Sequence, residues 1–171
     1  LSIRRQRQMC IRDRSDTSIL MELGVGEGLV TFDVGYAITG IVENVEVRAM
    51  SPGTGKVIKA KSKLSSNLST GSRAKGLISK SKKVYIDPTV TTQEQADARA
   101  ASLMEDISYR LGSLECECPG IPDLVPGRFI KIKGLGAPVD NKFYITSVIH
   151  DFRPDNGYRT RILAKASEVS K

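Results

Sequence analysis

Tryptophan is missing from this sequence, histidine occurs once, and aromatic residues make up only 5% of it. Proteins that grip single-stranded nucleic acid commonly stack bases on aromatic side chains, and few such residues exist here. The single histidine, His150, leaves one candidate base for a nucleophilic triad. It stands in a strand-like stretch beside Asp151, and neighbours in a strand point to opposite faces. A packed position, hydrogen-bonded across to the following strand, fits His150 better than catalysis. The 19 acids include no marked pair for sugar cleavage. Cysteine occurs at Cys10, Cys116 and Cys118. A Cys-x-Cys with one distant histidine falls short of four openly spaced zinc ligands, so Cys116 and Cys118 read as small buried side chains in a reducing compartment. No apolar run approaches the ~20 residues needed to cross a bilayer. The basic opening is not followed by the apolar core of a signal peptide. The chain is expected to be made in the cytoplasm, without cofactor, metal or active site.

Positive charge is what the sequence has in excess, at a formal +7 over 171 residues. Residues 1–14 hold five arginines against one aspartate, which leaves +3 for the remainder. Gln8 to Arg14 resembles the translation of a transposase adapter end used in sequencing libraries. Residues 1–14 are therefore expected to be non-native or disordered, and the chain to be a fragment of a longer protein. Residues 56–83 hold eight lysines, one arginine and no acid, so the rest of residues 15–171 carries −6. The run contains Lys56, Lys59, Lys61, Lys63, Lys80, Lys82 and Lys83, and between Lys56 and Lys83 no aromatic residue. Three uses are open to it: a solvated basic strand and loop, a phosphate contact, or docking on an acidic partner surface.

Two glycine-rich stretches imitate nucleotide-binding loops. Gly24 to Gly28, after a mixed stretch from Asp16, has the wrong spacing for a dinucleotide fingerprint, no clear strand before it and no helix behind it, so it reads as a loop. In Ser51-Pro52-Gly53-Thr54-Gly55-Lys56-Val57 a P-loop would need glycine where Met50 stands and a hydroxyl where Val57 stands. It reads as a β-turn between strands at 41–50 and 56–60, after an earlier strand at 29–38. A short strand at 84–86 ends at Pro88. Thr91 and Glu94 have capping-box spacing. From there Ala96, Ala100, Leu103, Ile107 and Leu111 form one apolar stripe of a helix over about 92–111, with Gly112 as its stop.

The most regular stretch, residues 118–164, predicts a three-stranded antiparallel meander. Proline and glycine punctuate its start. Ile130 and Ile132 then alternate with Lys131 and Lys133. A loop over residues 134–141 leads to a long strand that places Phe143, Ile145 and Ile149 on one face and Tyr144, Val148 and Phe152 on the other. Asn156-Gly157 predicts a type I′ turn. The last strand sets Tyr158, Thr160, Ile162 and Ala164 against Arg159 and Arg161. The whole predicts a mainly β (α+β) protein: an antiparallel β-barrel-type domain with one packed helix.

Twelve residues in this stretch keep a recognisable order: Cys118, Gly120, Pro122, Leu124, Pro126, Gly127, Tyr144, His150, Phe152, Gly157, Tyr158 and Thr160. In that order the chain resembles the C-terminal part of the phage late control protein D family. These are tail baseplate hub proteins related to the hub portion of VgrG and other contractile injection spikes. The resemblance covers about residues 84 to 165 and is looser from 29 to 60, where the family's tryptophan-aspartate-proline before the turn is replaced by Ala49-Met50-Ser51-Pro52. It implies a non-enzymatic, homotrimeric virion or injection-particle protein that links tail tube to spike at the baseplate. The alternative, in a different class, is a small basic β-protein that binds nucleic acid through residues 56–83.

Overall fold

The structure, a computed structural model, describes residues 17–64, 76–155 and 157–169. The expectations for residues 1–14 lie outside that range. Among these described residues ten strands and one long helix follow in the order β1 (Ile19–Val25), β2 (Gly28–Leu29), β3 (Thr31–Tyr36), β4 (Asn44–Met50), β5 (Val57–Lys63), β6 (Lys82–Ile86), α1 (Gln93–Ser108), β7 (Gly112–Pro119), β8 (Phe129–Lys133), β9 (Lys142–Arg153) and β10 (Gly157–Ala166). The fold is mainly β with one main helix, as the pattern predicts.

Seven strands form one curled sheet in the order β2-β1-β8-β9-β10-β7-β3. β8, β9 and β10 are the expected antiparallel meander. The segment over residues 28–36 stitches the curl at one end. Its first residues pair in parallel with β1 at one edge. Val30 N–H then donates to Glu117 O at 2.8 Å, and β3 pairs antiparallel with β7 at the other edge. The single strand expected at 29–38 is thus two short ones with different partners.

Residues 19–25 are a strand, although the sequence shows no clear strand before the glycine-rich loop, and its end takes in Gly24 and Val25. Leu20, Met21 and Leu23 lack a clean alternation because the register slips between Ile19 and Met21. What makes them a strand is parallel pairing with β8, more than a hundred residues away. Leu23, Ile130, Ile132, Phe143, Ile145 and Ile162 then fill the curl together with both core cysteines.

The second sheet, in the order β5-β4-β6, is covered on one face by α1. Val45, Val47, Ala49 and Ala60 meet Ala96, Ala100, Met104 and Ile107, and the small helix residues let the layers approach closely. Gly55, at φ +64°, completes the expected β4–β5 turn. The helix starts one residue later than the spacing suggests. Thr92 is the N-cap and accepts from Gln95 N–H, while the Gln95 side chain reaches back to Thr91 N–H at 3.0 Å. It also ends earlier, at Ser108 with Tyr109 as cap. Gly112 opens β7 instead of stopping the helix, because Leu114, Cys116 and Cys118 already alternate with Ser113, Glu115 and Glu117 as a half-buried strand does. Tyr36 packs into both cores and joins the two layers.

Candidate functional site

The residues that keep the signature order gather where β7 leads out of the curled sheet beside the β9–β10 hairpin. Cys118 pairs with Thr160, and Thr160 with His150, so one row crosses three strands on the core face. Cys118 Sγ approaches Thr160 O at 3.4 Å. The Thr160 hydroxyl accepts from Ile121 N–H at 3.1 Å and lies 3.3 Å from His150 Nδ1. In the next row Tyr158 OH is 2.8 Å from the same nitrogen. The Tyr158 ring stacks on Phe152 with centroids 4.2 Å apart and lies against the backbone of Gly120, whose N–H donates to Tyr158 O. His150 is thus fixed by two hydroxyls across the hairpin. No acid and no thiol are among its hydrogen-bond partners in the described residues.

The remaining signature residues shape the lead-in to β8. Pro122 occupies the turn that Leu124 N–H closes on Ile121 O, and Leu124 drops into the core. Pro126 and Gly127, the latter at φ +92°, make the sharper turn that brings Gly127 N–H to Ile145 O at 2.9 Å. Tyr144 is buried, edge-on to Phe129.

Two expectations for the hairpin need correction. A register shift in β9, opposite Leu163 and Ala164, carries the core face from Ile145 to Val148. By register Val148, His150 and Phe152 therefore continue the Phe143–Ile145 face, which runs beyond the core so that Phe152 is 73% exposed, while Ile149 lies on the opposite face. A bulge of this kind cannot be read from alternation alone. Gly157 is at φ +67° but already pairs with Arg153, so the loop is longer than a two-residue type I′ turn. Pro154 and Asp155 take its first corner; Asn156 lies outside the described residues.

The outer face of the curled sheet carries a shallow pocket of about 300 Å³ around Ile149. Its charges are paired: Arg153 with Asp151, two residues before it on β9, at 2.7 Å, and across strands Arg161 with Glu115 at 3.3 Å and Arg159 with Glu117 at 4.0 Å. No surplus of either sign is left there for a charged ligand. Cys116 and Cys118 face inward, and burial pushes their thiols up to about 12 and about 11. Among the described residues no cluster of histidine, cysteine and acids could hold a metal ion. No helix there is long and apolar enough to cross a membrane.

The basic run divides. Lys59, Lys61, Lys63 and Lys82 share the face of the small sheet away from α1. Lys83 lies on the other side of β6, over the Tyr85 ring at 5.2 Å, and Lys56 and Lys80 stand in turns. At the centre of the basic face is a residue that the sequence reading missed. Glu46 is only 2% exposed, bonded to Lys82 and, at 2.6 Å, to Arg48. Those two bonds, Lys82 first, hold its carboxyl down at about 2. The available signal was an acid alternating with Val45 and Val47, cross-strand from a lysine-rich partner.

No protein-family model matches the sequence, and no curated protein matches it. Solved structures do match in fold. The tail protein from Neisseria meningitidis MC58 superposes with a TM-score of 0.62 at 14% identity, over 90% of this chain and 46% of that one. The 43 kDa tail protein of prophage MuSo2 from Shewanella oneidensis gives 0.62 at 16% identity, over 88% and 44%. A chain from the virion of a native gene transfer agent particle gives 0.56 at 11% identity, over 87% and 32%. This chain therefore spans less than half the length of each, and at these identities the likeness is one of fold.

Proposed function

We propose that this protein is a structural component of a phage-type tail, a baseplate hub subunit that links the tail tube to the central spike of a phage or related contractile injection particle. The observation that carries the reading is a fold shared over about nine-tenths of the chain with two bacterial tail proteins. The ordered residues from Cys118 to Thr160 support the narrower assignment to the late control protein D kind. Each of them has a packing or turn role, as expected of a scaffold. His150 is held by hydroxyls instead of being poised beside a nucleophile. The protein acts in this reading without cofactor or catalysis, as one hub-like β domain of a longer chain.

The hub reading implies a homotrimer around the tail axis, and cyclic closure requires each interface to join two different patches of the subunit. The test is the particle itself. Quantitative mass spectrometry of purified particles should find the protein in a fixed low ratio, equimolar with spike chains, and its deletion should stop baseplate assembly. Particles that lack the protein, or that assemble normally without it, would overturn the proposal.

A further inference from the structure

The small sheet has a covered face and an open one. Across the open face, register places Lys63, Asn44 and Lys82 in one row and Lys61, Glu46 and Val84 in the next. Lys59, Arg48 and Ile86 follow, and Met50 stands beside Val57 at the far end. Four apolar side chains are bare there: Ile86 at 82% exposure, Met50 at 62%, Val57 at 59% and Val84 at 43%. An isolated protein gains nothing from such a cluster. Glu46 is the one acid of the face among the described residues, and it is already bonded to Lys82 and Arg48. Lys59 and Lys61 have no acid partner among the described residues. The face is therefore apolar at one end and basic at the other.

The opposite side of the same layer has the complementary character. Glu94, Ala98, Ala101 and Glu105 follow one another at helical spacing on the exposed side of α1, with Asp97 beside them. Arg99, the one base of the helix, is turned to Asp87 at 3.3 Å. Glu105 is already engaged within the chain, so the strip is small and apolar along Ala98 and Ala101 and acidic through Glu94 and Asp97 at its N-terminal end. The lengths also match, since sixteen helical residues span about 24 Å and seven strand residues about 23 Å.

We propose that the open face of the small sheet seats α1 of a second copy of this chain, so that copies join head to tail. The alanines of α1 would cover Ile86, Met50 and Val57 while Glu94 and Asp97, both at the N-terminal end of the strip, meet Lys59 and Lys61. The contact is heterologous because its two halves lie on different sides of one layer. It makes a ring when the rotation between copies closes and an open stack when it does not. The proposal deepens the homo-oligomeric hub reading and rests on it for the number of copies.

Charge swapping tests the contact. One variant carries Lys59→Glu and Lys61→Glu, the other Glu94→Lys and Asp97→Lys; all four positions are exposed, and circular dichroism checks folding. Light scattering of the wild-type chain should show average mass rising with concentration. Each variant alone should lose that rise, and an equimolar mixture should recover it, because both contacts again join opposite charges. Ile86→Ser, which leaves every charge in place, should weaken association as well. Variants that associate like the wild type, a mixture that stays monomeric, or a wild-type chain monomeric up to its solubility limit would overturn the proposal. So would a wild-type chain that stays monomeric yet shifts duplex DNA through Lys59 and Lys61. A complete protein that remains trimeric with either variant would remove this contact and leave the hub reading standing.

Discussion

Tyr158 lies flat against Gly120, so closely that a β-carbon at position 120 would stand 1.9 Å from the Cδ1 of its ring. Phe152 stacks on it from the β9 side, His150 holds its hydroxyl, and the Gly120 N–H donates to the Tyr158 carbonyl. Gly120→Ala should therefore destabilise the protein by about 1–3 kcal/mol, as overpacking does, read as a lower denaturant midpoint. In a Tyr158→Ala background the same change should cost much less. An unchanged midpoint in the single variant would mean that the ring swings out freely.

That contact also marks where sequence reading stops. The glycine, the tyrosine and the histidine stand in a recognisable order, and the Cys118–Thr160–His150 row follows from strand alternation once the hairpin is placed. The stack itself depends on the β9 bulge, which puts Phe152 beside Tyr158 on one sheet face and Ile149 on the other. Alternation carries no trace of an inserted residue. β1 escaped for a related reason, since its partner β8 is distant in sequence and its own apolar residues straddle a register slip. β7 also went unread, although Leu114-Glu115-Cys116-Glu117-Cys118 has a plain period of two, because a helical stripe runs straight into it.

Glu46 should govern part of the acid response. Its folded carboxyl is held at about 2 by Lys82 and then Arg48, against about 4.3 for an unfolded glutamate. Deprotonation thus favours the folded state. The contribution is fully present above the unfolded value and is lost as pH falls from about 4.3 toward 2. Glu46→Gln should be less stable at neutral pH and should show a shallower fall in melting temperature between pH 5 and pH 2. Parallel curves for the two proteins would refute this role.

The buried thiols give a chemical readout of the β7 core. Protonated and covered, Cys116 and Cys118 should resist a thiol reagent at pH 8 in the native protein and react fully in denaturant. Cys10→Ser removes the third thiol from the measurement. Fast native labelling at either position would mean that β7 opens, or that its register is shifted by one residue.

Thr160 separates hydrogen bonding from packing in the signature row. It is fully buried, its hydroxyl accepts from Ile121 N–H, and its own carbonyl receives the Cys118 thiol. Thr160→Val keeps the shape and strips that N–H of its acceptor, an expected loss of about 1–3 kcal/mol. Thr160→Ser keeps the acceptor and removes one methyl, about 0.8 kcal/mol. The serine variant should therefore be the more stable of the two in denaturant melts, and amide exchange at Ile121 should accelerate only in the valine variant. If valine proves the better replacement, the row is held by packing alone, and the turn at Ile121 must be fixed by Leu124 in the core instead.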